Sequence, residues 1–114
     1  MSFSANTRKV GGAVIIDMSG HLTIGEPALL LRETIRRFIA DGNMRFILNL
    51  AEVNYIDSGG LGELITTYTT VRNRQGDVKL LKLTAKAKDL LQMTKLLTVF
   101  DTYDDEQKAL AALA

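Results

Sequence analysis

Residues able to do chemistry concentrate in one segment, Asn54-Tyr55-Ile56-Asp57-Ser58-Gly59-Gly60-Leu61-Gly62-Glu63. A carboxylate is followed directly by a hydroxyl, and three glycines fall in the next four residues. Each glycine costs a helix about 1 kcal/mol relative to alanine, so something near this helix start must offset them. A glycine lets another backbone, or a phosphate, approach closely. A phosphoryl group on Ser58 is expected to meet unpaired N–H groups of Gly59, Gly60 and Leu61 and the positive end of the helix dipole. The plain alternative is a helix cap, since Asp-Ser before an apolar helix is a common capping pair, with Asp57 or Ser58 as the cap.

Other groups offer less. His21, the one histidine, suits a surface turn, and Thr23 suits a turn or cap ahead of a helix. Asp101, Asp104, Asp105 and Glu106 read as ordinary acids at a helix start rather than a divalent-metal site. Arg32, Arg36, Arg37, Arg72 and Arg74 read as a solvated face. Met93, Leu96 and Leu97 form an apolar patch beside the motif or simply pack in the core.

Composition removes several chemistries. With no Cys there is no disulfide, thiolate metal site or cysteine nucleophile. One His excludes a multi-histidine zinc site, and an enzyme built on Asp57, Ser58 and His21 lacks an oriented base beside its nucleophile. Fourteen basic against 13 acidic residues give a net charge of +1, which argues against direct nucleic-acid binding. No apolar run approaches the roughly 18 residues of a membrane span, and the start of the chain lacks a signal-peptide pattern. The expectation is a cytoplasmic protein without membrane insertion, cofactor or metal. At 114 residues it reads as one domain over residues 1–114.

The elements that must position the motif follow from periodicity. Phe3, Ala5, Thr7 and Lys9 alternate as an edge strand, which permits a monomer or weak dimer. Gly11-Gly12 signals a hairpin turn, and Ala13 to Met18 a strand. Gly20-His21-Leu22-Thr23 is expected to bend the chain. A helix runs from Glu26 or Pro27 to about Ala40, with Ala28, Leu31, Ile35, Phe38 and Ile39 inward and Gly42 as its stop. Phe46 to Leu50 reads as a strand covered on both faces. The motif helix spans about Ser58 to Arg74, with Leu61, Leu64, Ile65, Tyr68 and Val71 inward and Gly76 at its end. Val78 to Leu83 alternates as a strand. Thr84 caps a helix from Ala85 to about Lys95, with Ala87, Leu90, Leu91 and Thr94 inward. Thr98 to Phe100 reads as a last strand, and Asp104 with Gln107 as a capping box for a final helix. Strands alternating with helices imply an α/β fold, a mixed, mostly parallel sheet with helices packed against it and an N-terminal β-hairpin.

The segment YIDSGGLGEL after the strand FILNLAEV resembles the signature of the STAS domain, the family that includes bacterial anti-sigma factor antagonists. The resemblance extends over nearly the whole chain, through the SGHLT bend and KLLKLTAKAKDLLQMTKL. It implies that Ser58, after the motif aspartate Asp57, is phosphorylated by a serine kinase that is also an anti-sigma factor. The unphosphorylated form binds that kinase and frees the sigma factor; phosphorylation releases it, and a PP2C-type phosphatase restores it. It further implies a partner-binding face formed by His21, Thr23, Asp57, Ser58, Gly59, Gly60 and Leu61, on a domain that is a substrate and not an enzyme. Two positions depart from many relatives: Gly59 replaces Ser or Thr, and Gly20-His21-Leu22-Thr23 replaces Gly-Glu-Leu-Asp. The altered bend leaves room for an alternative, a STAS scaffold or adaptor in a stress-signalling or transporter complex. A response-regulator receiver, with Asp57 as phosphoryl acceptor, needs a further acidic pair that the lone Asp17 does not supply.

Overall fold

The chain makes its first turn at Gly11-Gly12, where both glycines take positive φ, 55° and 84°. They join β1 (Phe3–Val10) to β2 (Ala13–Leu22) as an antiparallel hairpin. The structure is a computed structural model and describes residues 2–113. After the hairpin, strands alternate with helices: α1 (Glu26–Ala40), β3 (Arg45–Ile56), α2 (Ser58–Asn73), β4 (Asp77–Leu81), α3 (Ala85–Met93), β5 (Asp101–Tyr103) and α4 (Glu106–Leu113). The strands form one sheet in the order β1-β2-β3-β4-β5, antiparallel at β1–β2 and parallel elsewhere. The expected mixed, mostly parallel α/β sheet is therefore observed.

Side-chain alternation along β2 and β3 splits the apolar residues between two layers. Val14, Ile16, Phe46 and Leu48 join Leu31, Leu64 and Leu91 in the larger core, beneath α1, α2 and α3. Ala13, Ile15, Ile47 and Leu81 meet Ala109 and Leu113 of α4 on the other face. Phe46, Ile47 and Leu48 are fully buried, so this strand is covered on both faces as its apolar run implied. Each such side chain contributes about 1.5–3 kcal/mol by leaving water.

Helix ends follow local chemistry. Pro27 sits in the first turn of α1. Gly42, at φ 91°, closes its C-terminus, with the Gly42 N–H donating to the Ile39 carbonyl (2.9 Å) and the Asn43 N–H to that of Phe38 (2.9 Å). After α2 the left-handed position belongs to Gln75 (φ 65°) rather than Gly76. Gly76 is required for another reason: a Cβ there collides with the Met44 carbonyl and the Val71 side chain. Thr84 caps α3 by accepting from the Ala87 N–H (3.2 Å).

Five local expectations are corrected. β2 continues through Leu22, so Gly20 to Leu22 is strand with register irregularities, not a bend. In α2, Ile65 is on the solvent side, one residue past Leu64, while Glu63 and Thr67 take buried positions. Thr94 is the exposed C-cap of α3, its hydroxyl donating to the Leu90 carbonyl (2.7 Å). Thr98 to Phe100 is a turn that drives Phe100 into the core against Tyr68, with ring centroids 5.2 Å apart; the polar triplet Asp101–Tyr103 pairs with β4 instead. The cap of α4 is Asp105, one residue beyond Asp104, accepting from the Lys108 N–H (3.1 Å).

Candidate functional site

The C-terminal ends of β2 and β3 lie side by side, with Leu22 opposite Ile56. The Asp57 N–H donates to the Leu22 carbonyl (3.3 Å), so the motif begins where the two strands stop. Asp57 is the N-cap of α2, with extended backbone (φ −94°, ψ −177°). Its Oδ1 accepts from the Gly60 N–H (2.8 Å). Both carboxylate oxygens also accept from the Ile24 N–H, each at 3.1 Å. One side chain thereby ties the start of α2 to the β2–α1 connection. The backbone N–H of Gly60, and after it that of Ile24, hold the Asp57 carboxyl below the usual carboxylate range.

The glycines divide into two kinds. A Cβ on Gly60 collides with the Leu22 carbonyl, and one on Gly59 collides with Ile24. These two let the β2–α1 connection lie against the helix. Gly62 has nothing within 4 Å of where its Cβ would be. It opens onto a groove of about 370 Å³ walled by Ile24, Leu29, Arg32, Gly59 and Thr66.

Ser58 is the first residue of α2 and is exposed. The expectation of three unpaired N–H groups beside it is corrected at two of them, Gly60 and Leu61. The Gly60 N–H is taken by the Asp57 carboxylate, and the Leu61 N–H by the Asp57 carbonyl (2.9 Å). A negative charge already sits at the helix start. Leu61 is only 8 % exposed and packs in the core; it anchors the helix rather than offering its side chain to a partner. Gly60 is likewise buried, and Gly59 is half-buried.

His21 and Thr23 flank Leu22 at the same end of the sheet. His21 is not the expected turn residue: it is a half-buried strand residue opposite Tyr55, with ring centroids 5.5 Å apart at a tilt of 57°. Thr23 is half-buried, and its carbonyl accepts from the Ala28 N–H (3.1 Å) in the first turn of α1. The acids near the C-terminus are engaged separately: Asp101 with Lys79, Glu106 with Arg8, and Asp105 as a cap. Arg32 is not merely solvated, because its Nε and Nη2 donate to Glu63 Oε1 (3.1 and 2.8 Å).

Sequence reasoning missed Ile24, which is 74 % exposed beside the motif. The signal was an apolar residue in the turn pair Ile24-Gly25, ahead of a helix start. Leu29 and Leu30, both exposed, were missed too, although the inward stripe through Ala28, Leu31 and Ile35 turns Leu29 and Leu30 away from the core. Met93, singled out as an exposed candidate, is 81 % exposed. Leu96 and Leu97 are partly buried against the larger core.

The architecture and site define a class: an α/β domain with an exposed serine at the start of an aspartate-capped, glycine-rich helix, laid against the loop from the neighbouring strand. The chain belongs to the STAS domain family, whose model matches residues 4–109. It is similar to the Anti-sigma F factor antagonist of Paenibacillus polymyxa, 27% identical over 105 residues that cover 90% of this chain and 87% of that protein. Among solved structures it is similar to an anti-sigma factor antagonist from Mycobacterium paratuberculosis, with a TM-score of 0.84, 22% identity, and coverage of 98% of this chain and 94% of the other. The Bacillus cell fate determinant SpoIIAA in its phosphorylated form superposes with a TM-score of 0.76 at 19% identity, covering 97% of this chain and all of that one (100%). Among the described residues, no helix is long and apolar enough to cross a membrane.

Proposed function

We propose that this domain is an anti-sigma factor antagonist whose partner binding is gated by phosphorylation of Ser58. One observation carries this reading: the exposed Ser58 hydroxyl stands next to a carboxylate that backbone donors fix in place and keep ionised. The relative from Paenibacillus polymyxa named as an antagonist supports it, as does the phosphorylated form of the Bacillus protein of the same fold. The unphosphorylated domain binds an anti-sigma factor that is also a serine kinase, presenting Ser58, Gly59 and the exposed Ile24. The kinase transfers the γ-phosphoryl group of ATP to the Ser58 oxygen, leaving ADP, and the hydroxyl proton passes to a base on the kinase.

The electrostatics give the switch its size. A phosphoserine adds about −1.5 to −2 charges. Here the Gly60 and Leu61 N–H groups are already taken by Asp57, whose carboxylate stays charged, so the phosphate meets a like charge. In a closed interface, such juxtaposition costs several kcal/mol, and each 1.4 kcal/mol is about tenfold in affinity. Phosphorylation therefore weakens binding by about a hundredfold or more while the core stays intact. A PP2C-type phosphatase resets the switch, and the domain acts in the cytoplasm as a monomer or weak dimer, as a substrate rather than a catalyst.

The test is capture from native lysate with wild-type and Ser58→Asp baits, followed by intact-mass analysis of wild type and Ser58→Ala after incubation with the captured protein and ATP. The expected result is a kinase held by wild type and lost with Ser58→Asp, and one added phosphate on wild type alone. Equal capture of a non-kinase partner by both baits rules the switch out and makes Asp57-Ser58 a capping pair.

A further inference from the structure

The seam between α1 and α2 contains two buried polar atoms without a hydrogen-bond partner, Glu63 Oε2 and Thr67 Oγ1. The Glu63 side chain is 2 % exposed and Thr67 is 2 % exposed. They stand four residues apart on α2, hence on one face one turn apart. Both line a cavity of about 20 Å³, whose other walls include Arg32, Ile35 and Arg36. Leaving such atoms unpaired is costly, and native proteins rarely do so.

We propose that this cavity is a binding site for one ordered water molecule that bridges Glu63 Oε2 and Thr67 Oγ1. The volume fits, since about 10–15 Å³ of this kind of space holds one water. The chemistry fits as well: the water donates to the carboxylate oxygen and accepts from the threonine hydroxyl. A cation is disfavoured, because Arg32 already pairs with the same carboxylate at 2.8 Å and Arg36 lines the cavity. With the water in place, Arg32, Glu63, the water and Thr67 form a continuous polar clasp between α1, which follows the Ile24 turn, and α2, which begins at Ser58.

The sign of one substitution separates the possibilities. Thr67→Val removes the hydroxyl and keeps the shape. If the hydroxyl is bridged, the melting temperature falls by about 4 °C or more, relative to the exposed control Thr69→Val. If it is unpaired, removing it relieves a desolvation cost and the melting temperature rises. A high-resolution crystal structure of the wild-type chain is expected to show a water within about 2.7–3.2 Å of both atoms, and that peak should vanish in Thr67→Val. A raised melting temperature, or a direct Thr67–Glu63 hydrogen bond with no water, overturns the proposal.

Discussion

Asp57 and Asp17 are both held below the usual carboxylate range, but by different means. Asp57, at the motif, is held by backbone N–H groups of Gly60 and Ile24. Asp17, in β2, is held first by the Arg8 guanidinium, whose Nε donates to its Oδ2 (2.7 Å), and by Asn49, whose Nδ2 donates to its Oδ1 (2.7 Å). The same Arg8 grips Glu106 at the start of α4 (2.6 Å). Around Asp17 a side-chain cation answers the carboxylates, and four elements are clasped together. Around Asp57 no side-chain cation answers the carboxylate within hydrogen-bond reach among the described residues, and Ile24 and Gly59 adjoin it. A charge fixed by backbone leaves the side chains around it free for a partner. It also remains uncompensated, so any charge added at Ser58 adds to it.

The contrast is broken most severely at Gly60. A Cβ there runs into the Leu22 carbonyl, which must move and take the Asp57–Ile24 tie with it. Gly60→Ala is expected to cost about 3 kcal/mol, a clash of backbone with backbone in a packed site. Urea unfolding followed by circular dichroism measures it; an unchanged midpoint would show that the strand end and the motif helix are not held as described.

Gly62 sharpens the same contrast from the opposite side. Its Cβ position is open, so Gly62→Ala relieves a helix penalty and is expected to raise stability by up to about 1 kcal/mol. The added methyl projects into the groove beside Ile24, and affinity for the captured partner is expected to fall by about tenfold, from 1–2 kcal/mol of overpacking. Stability and binding move in opposite directions only if the groove is a contact surface. A variant that gains stability and binds as before places the partner elsewhere.

Much of this is legible in the sequence. The glycine turn at Gly11-Gly12, the helical stripe of α1 and the doubly covered run Phe46–Leu50 each carry one strong local signal. So did the capping pair Asp57-Ser58. What stayed hidden depended on tertiary partners. The strand Asp101–Tyr103 is polar and only three residues long, and it exists because β4 offers an edge. The burial of Glu63 follows from Arg32, 31 residues earlier in the chain, which no local pattern announces. The bonds from the Ile24 N–H to the Asp57 carboxylate depended on where the β2–α1 connection lies.

The smallest effect belongs to the Arg8 clasp, and its pH dependence separates it from Asp57. Asp17 and Glu106 both have folded-state pKa values lowered chiefly by hydrogen bonds from Arg8. A carboxyl whose folded value is depressed stabilises fully above its unfolded value, about 4, and that contribution is lost as pH falls through the folded value. Arg8 itself is raised, so its own contribution is lost only in strongly alkaline solution, outside an acid titration. Arg8 has a 40% exposed side chain, which screens both pairs, so Arg8→Met is expected to cost only about 0.5–1 kcal/mol at neutral pH. The gap between wild type and Arg8→Met should then close as pH drops below about 4, because protonated Asp17 and Glu106 no longer distinguish the two proteins. Both proteins should still lose stability in acid through Asp57, whose backbone donors the substitution leaves in place. Thermal melts across pH 2–7 supply the measurement. A gap that stays constant over that range would mean that Arg8 acts through the packing of its methylene stem, and that the contrast between a side-chain clasp and a backbone-held charge is not electrostatic.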